Sequence, residues 1–184
     1  EAVRLLQDLT TAHLYDPYPD ALVDVTLTRY AYAKANGIVD NQDSVYLNAL
    51  LRDEKQFIND SSSARISHLI GLWHREKAGS YVRLDDGPNK WENKTALEYL
   101  DKAIAKYPNS MGGLLCTALK NEIISPMIQL NMERVNVADL PFRMSVQYKN
   151  TDTVWCTVYP TNAETTYYLE SLSYDERIAE IDKL

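Results

Sequence analysis

Lysine and arginine nowhere gather into a cluster or stripe along this sequence, and the formal charge of its 184 residues is -7. Nucleic acids and anionic membrane surfaces are held by basic footprints, so the composition argues against both as partners. No apolar run approaches the roughly 18–20 residues of a membrane span, which argues against direct insertion of this segment into a bilayer. Cysteine is scarce: Cys116 and Cys156 are the two present, in no Cys-x-x-Cys pattern. Two do not make a disulfide framework, and the expectation is two buried free thiols, one in a helix and one in a strand. Histidine is scarcer than a metal site needs. His13, His68 and His74 form no His-Glu-x-x-His, and the six-residue spacing of His68 and His74 sets them on opposite sides of one helix.

Other signatures of chemistry are missing too. There is no phosphate-cradling glycine loop and no nucleophile elbow. Asp40-Asn41-Gln42-Asp43-Ser44 resembles the start of a calcium loop, but Val45 stands where glycine is needed and Leu51 where glutamate is needed. Asp85-Asp86-Gly87-Pro88 has the residues of an ion site, and equally those of a turn. Neighbouring carboxylates such as Asp53 and Glu54 read as solvated charges on a helix face. No catalytic, cofactor-binding or metal residue is therefore assigned. No signal peptide or lipid-anchor motif is visible, and the chain opens at Glu1-Ala2-Val3 without an initiating Met. That reads as a processed or excised piece.

What is present is ordinary globular composition, 45% hydrophobic and 24% charged. It carries two different rhythms. Up to residue 124 apolar residues recur at helical spacing. Helices are expected at about 2–15, 20–35, 42–58, 64–77, 94–107 and 111–123. Asp16-Pro17-Tyr18-Pro19 ends the first. Asn36-Gly37 supplies a left-handed stop for the second, and Ser63 is placed to cap the fourth. Ile66, Leu69, Ile70 and Trp73 form one stripe; Ala96, Leu97, Leu100, Ala103, Ile104 and Tyr107 form another, with Leu115, Ala118 and Leu119 inside the sixth helix. Between the fourth and fifth helices, Tyr81 to Trp91 reads as an exposed loop. The architecture expected is a stacked array of antiparallel α-hairpins. Leu69, Gly71, Trp73 and Tyr81, followed by Ala96, Leu100, Ala103, Ile104 and Pro108, resemble a tetratricopeptide repeat.

From Ser125-Pro126 onward the apolar residues alternate instead. Ile128, Leu130 and Met132 mark one strand, Phe142 to Lys149 a second and Thr153 to Tyr159 a third, apolar on both faces near Trp155 and so covered on both sides. Glu133-Arg134 breaks the first alternation, and Val135 and Val137 fall in the opposite phase, as at a bulge or strand end. Thr165 to Leu169 reads as a short fourth strand. Ser173 and Glu176 form a capping box for a last helix ending at Leu184. Three or four strands cannot close a sandwich of about seven, so the β-part is read as truncated. The fold class is mainly α with a small β part: a TPR-like helical domain over 1–124, then a partial β-sandwich with a terminal helix over 125–184.

Taken together, the helical region, Ile123-Ile124-Ser125-Pro126, the strand ending Glu133-Arg134-Val135, and Pro141 to Tyr148-Lys149-Asn150 resemble large bacterial alpha-2-macroglobulin-like proteins of the Bacteroidetes type. Val154-Trp155 stands where that family has an apolar pair, and Ser173 to Ile178 is similar to a helical insertion of its first macroglobulin domain. The resemblance implies a much longer protein in the cell envelope, periplasmic and lipid-anchored, that traps peptidases. Its partners would be the remaining macroglobulin domains of the same chain. The family's Cys-Gly-Glu-Gln thioester is missing here, since Cys116 precedes Thr117-Ala118 and Cys156 precedes Thr157-Val158.

The function expected is thus a non-catalytic scaffold. Two rivals are weighed with it: a helical module binding a peptide or protein, and a glycan-binding surface built on Tyr81 and Trp91. An enzyme is the last choice.

Overall fold

The helical rhythm is realised as six helices. In a computed structural model, which describes residues 1–38, 40–82, 87–133 and 141–183, they are α1 (Ala2–Ala12), α2 (Asp20–Asn36), α3 (Gln42–Gln56), α4 (Ser63–Ala78), α5 (Glu92–Lys106) and α6 (Met111–Ile124). After them come strands β1 (Met127–Met132) and β2 (Met144–Lys149) and helices α7 (Ala163–Ser171) and α8 (Tyr174–Ile181). The protein is mainly helical with a small antiparallel sheet. It divides into two units, Glu1–Ser125 and Pro126–Leu184.

Two helix ends in the first unit differ from expectation. Gly37 is extended (φ -74°, ψ 147°), not left-handed. The open end of α2 is closed instead by Gln42, whose Nε2 donates to the Ala33 and Lys34 carbonyls. At α4 the N-cap is not Ser63, which lies inside the helix, but Ser62, and Asp60 holds the turn before it. Asp60 Oδ1 accepts from the Ser62 amide at 2.8 Å, and its carbonyl accepts from the Ser63 hydroxyl at 2.6 Å. Ser110 caps α6 by accepting from the Gly113 amide at 3.0 Å.

Two apolar clusters fill this unit, and α4 belongs to both. Val23, Leu27, Leu50, Ile66 and Ile70 join α2, α3 and α4. Ala64, Leu100, Ala103, Cys116, Leu119 and Ile123 join α4, α5 and α6. The second cluster sets small residues, Ala64, Ala96 and Ala103, beside Leu100, Leu119 and Ile123. An ideal Cβ on Gly112 would stand 2.5 Å from the Ala64 carbonyl carbon and 2.7 Å from its Cβ. Glycine there lets α6 lie directly on α4. As a result Leu115 and Ala118, expected inside, point outward, and Met111 and Leu114 are exposed as well.

The cysteines part company. Cys116 is buried and its thiol donates to the Ala64 carbonyl at 3.4 Å. Burial pushes that thiol up from 9.0 to about 12. Cys156, expected buried in a strand, is exposed outside any strand. At pH 8 a disulfide-exchange reagent should therefore titrate one thiol in the native chain and two after denaturation, since reactivity follows the exposed thiolate. Native titration of both, or loss of the single native equivalent in anything but Cys156→Ser, would refute the assignment. The neutral Cys116 thiol contributes its full stability below pH 9, and that contribution fades as the pH rises toward 12.

The second unit is built differently. β1 and β2 pair antiparallel in the register Ile128–Tyr148, Leu130–Val146 and Met132–Met144. Residues directly opposite each other share a face, so these six apolar side chains form one side. Gln129, Asn131, Ser145 and Gln147 lie on the other. β2 starts at Met144, two residues after the expected Phe142. Thr153–Tyr159 forms no strand, and Trp155, expected to be covered on both sides, is 90% exposed. Strand propensity reflects packing against neighbours, and here the segment has no pairing strand among the described residues. Thr165–Leu169 is not a strand either but part of α7, started by Asn162, whose Oδ1 accepts from the Thr165 amide at 2.8 Å. The capping box of α8 is formed by Ser173 and Glu176 as expected, and the helix ends at Ile181. Arg134, Val135, Val137 and Leu184 lie outside the described residues. Every described residue of this unit is exposed or half-buried.

Candidate functional site

A polar cluster between α2 and α3 is the feature least expected from sequence. Asp53, read there as a solvated charge, is only 4% exposed. It falls three residues after Leu50, on the same helix face, so the period that buries Leu50 buries it too. The Tyr30 hydroxyl donates to Asp53 Oδ2 at 2.6 Å, and Arg52 Nε donates to Oδ1 at 2.9 Å. Arg52 Nη2 also donates to the Tyr30 oxygen at 2.7 Å, closing the ring. Burial, then the hydrogen bond and charge of Asp53, push the Tyr30 phenol above its usual value, against the pull of Arg52. Buried carboxylates persist when their oxygens are satisfied in this way.

Beside this cluster, α2 and α3 leave a hollow of about 200 Å³. Its walls are apolar: the rings of Tyr30 and Tyr46, Ala33, Val45, Ala49 and the stem of Lys34. The Lys34 ammonium sits 4.8 Å from the centre of the Tyr46 ring. Burial and the charge of Glu76 hold the Tyr46 phenol above its usual value. Asp43 accepts from Lys77 at 2.6 Å and lies 3.7 Å from Lys34, which pairs at the same distance with Glu76. The Lys77 hydrogen bond holds the Asp43 carboxyl below its usual value. Chemically this is an uncharged aromatic slot with a neutralised ionic rim. It suits one apolar side chain.

The two residues singled out from sequence lie elsewhere. Trp91 is 67% exposed at the start of α5 and borders an open hollow of about 520 Å³ with Gly87, Pro88, Asn89 and Thr95. Tyr81 is half-buried and does not line that hollow. Behind Trp91, Glu92 pairs with His74, whose ring stacks on Tyr99 at 5.9 Å and meets the edge of Trp73 at 5.1 Å. That arrangement anchors α5 to α4. Asp85 and Asp86 lie outside the described residues. Among the described residues no group of three or more His, Cys, Asp or Glu could hold a metal ion.

No family model, curated protein or solved structure matches the chain. The residues themselves therefore carry the functional argument.

Because the Tyr30–Asp53 bond is the clearest polar tie between α2 and α3, its removal should be measurable. Tyr30→Phe leaves one buried oxygen of Asp53 without its donor and should cost about 1–3 kcal/mol of unfolding free energy. The raised phenol adds a sign: its contribution is complete below pH 10 and is lost as the pH climbs through the higher folded value. Urea melts at pH 7 and pH 10.5 should thus show a smaller gap between the two chains at the higher pH. An equal gap would show that Tyr30 ionises no differently in the folded state.

Proposed function

We propose that this chain is a non-catalytic scaffold: a TPR-like helical module followed by the first strands of a macroglobulin-like β-domain. In this reading it belongs to a bacterial alpha-2-macroglobulin-like protein of the cell envelope, periplasmic and lipid-anchored, whose full length traps peptidases. Its immediate partners are the remaining macroglobulin domains of the same chain. The observation that carries the reading is the apolar face of the β1–β2 ribbon. Ile128, Leu130, Met132, Met144 and Tyr148 are all exposed on it. A two-stranded ribbon is at best marginal in water and becomes independently stable only with more strands or a covering layer. The β-prone Thr153–Tyr159 segment, without a strand partner among the described residues, supports the same need. Small residues at the helix contacts (Ala64, Gly71, Ala96, Gly112) support the repeat-like reading of the first unit.

The gene-length protein provides the test. Amides of Ile128–Met132 and Met144–Tyr148 should exchange at least about 100-fold more slowly there than in the 184-residue chain. Equal exchange, or a gene that ends at Leu184, would remove the reading.

A second reading, a helical module binding a peptide, protein or glycan, is favoured by the aromatic slot between α2 and α3. A displayed peptide library selected on the chain should then return sequences with one recurring apolar residue, lost on Tyr46→Ala. For the glycan form of this reading, binding on a glycan array should depend on Trp91; an array without hits removes it.

A further inference from the structure

Helix α1 differs from the other five helices of the first unit in having no buried residue. It lies on α2, where half-buried Leu6, Leu9 (40% exposed) and His13 face Ala21 and Val25 across the seam. The seam is not filled: a space of about 240 Å³ remains between the two helices. The polar groups of α1 do not tie it down either. Thr10 and Thr11 donate to the Leu6 and Gln7 carbonyls of their own helix, and His13 pairs with Asp16 at 2.7 Å within the following turn. Among the described residues no ion pair joins α1 to α2.

α2 is held on its other side as well as by α1. Val23 and Leu27 enter the cluster with Leu50, Ile66 and Ile70 on its far side. Tyr30 is bonded to Asp53 of α3, and Asp24 pairs with Arg65 of α4 at 2.7 Å. Between α1 and α2 lies Asp16-Pro17-Tyr18-Pro19, whose two prolines bar a continuous helix. An 11-residue helix is too short to stay formed alone, so docking and folding of α1 are one event.

We propose that α1 is a strap that detaches from α2 as a unit while α2–α6 stay folded, uncovering the face of α2 that α1 covers. The occupant of that face is α1 itself, and its release is the step that opens the surface around Ala21 and Val25.

Native-state hydrogen exchange on the full chain, read by mass spectrometry, tests this. The amides of Leu5–Ala12 should exchange together, with one shared opening, at least about 100-fold faster than those of α4, α5 and α6. Leu9→Ala should speed α1 about tenfold more and leave α4–α6 unchanged; Leu6→Ala should do the same. A smooth gradient from Leu5 to Ala12 would mean end fraying and overturn the proposal. So would exchange of α1 in step with α4–α6, or variants that accelerate both groups alike. A variant in which α1 loses all protection while α2 and α4–α6 keep theirs supports it, and loss of protection in α1 and α2 together overturns it.

Discussion

Replacing Gly112 by alanine is expected to lower the stability of the helical unit by about 2–3 kcal/mol, against the ordinary benefit of alanine in a helix. The reason is where the new carbon would go. It would meet the Arg65 amide nitrogen, the Ala64 carbonyl carbon at 2.5 Å and the Ala64 Cβ at 2.7 Å. Two of these three are backbone, which cannot swing aside as a side-chain end can. α4 and α6 must move apart, and the separation loosens Cys116 and Leu119, which pack in the same cluster. Alanine in a helix interior gains up to about 1 kcal/mol over glycine, but Gly112 lies in the first turn of α6, where less of that gain applies. Urea unfolding followed by circular dichroism measures the balance. A variant as stable as the parent would show that the helices are not held at this distance.

Leu100→Ala should cost about 3–4 kcal/mol, and part of that loss should return when Gly71→Ala is added. Leu100 is fully buried between α4, α5 and α6, and truncating such a leucine removes its transfer energy and leaves a cavity. The cavity faces Gly71. An ideal Cβ there would be 2.8 Å from Leu100 Cδ2, 3.1 Å from its Cγ and 3.4 Å from Leu119 Cδ2. In the parent chain the added methyl crowds Leu100, and Gly71→Ala alone should destabilise by about 1–2 kcal/mol. Once the leucine is shortened, the same methyl occupies the vacated space, and the sign of its effect should reverse. Contacting residues couple by about 0.5–3 kcal/mol in such cycles. Additive effects within about 0.5 kcal/mol would mean the two positions do not share one space.

Helix positions were readable because apolar spacing and turn residues agree: Leu97 and Leu100 in α5, Pro17 after α1, Ser173 and Glu176 at α8. The errors have separate physical causes. In the first nine residues of α6 only Thr117 is polar, so periodicity alone could not choose a face; the deciding residue was Gly112, whose lack of a side chain lets α4 lie close. Asp53 was misplaced by its polarity, although its offset from Leu50 already put it inside and Tyr30 stood ready as donor. Thr165, Tyr167 and Leu169 alternate like a strand, yet Asn162 three residues before Thr165 was a helix cap. Thr153–Tyr159 alternates as well, but a strand exists only where another strand accepts its hydrogen bonds. The α2–α3 slot left no sequence signal at all, because it is made by the spacing of two helices and not by a motif.

Membership of α4 in both apolar clusters has a kinetic consequence. Its partners α3 and α5 are its neighbours along the chain, so those pairings close short loops at small entropic cost, and α6 then adds across α5. Low contact order of this kind goes with folding in microseconds to milliseconds. Truncations that slow refolding should therefore fall on the α4 face, at Ile66 or Ile70, while changes in α1 or in the β1–β2 ribbon leave the refolding rate of the helical unit where it was.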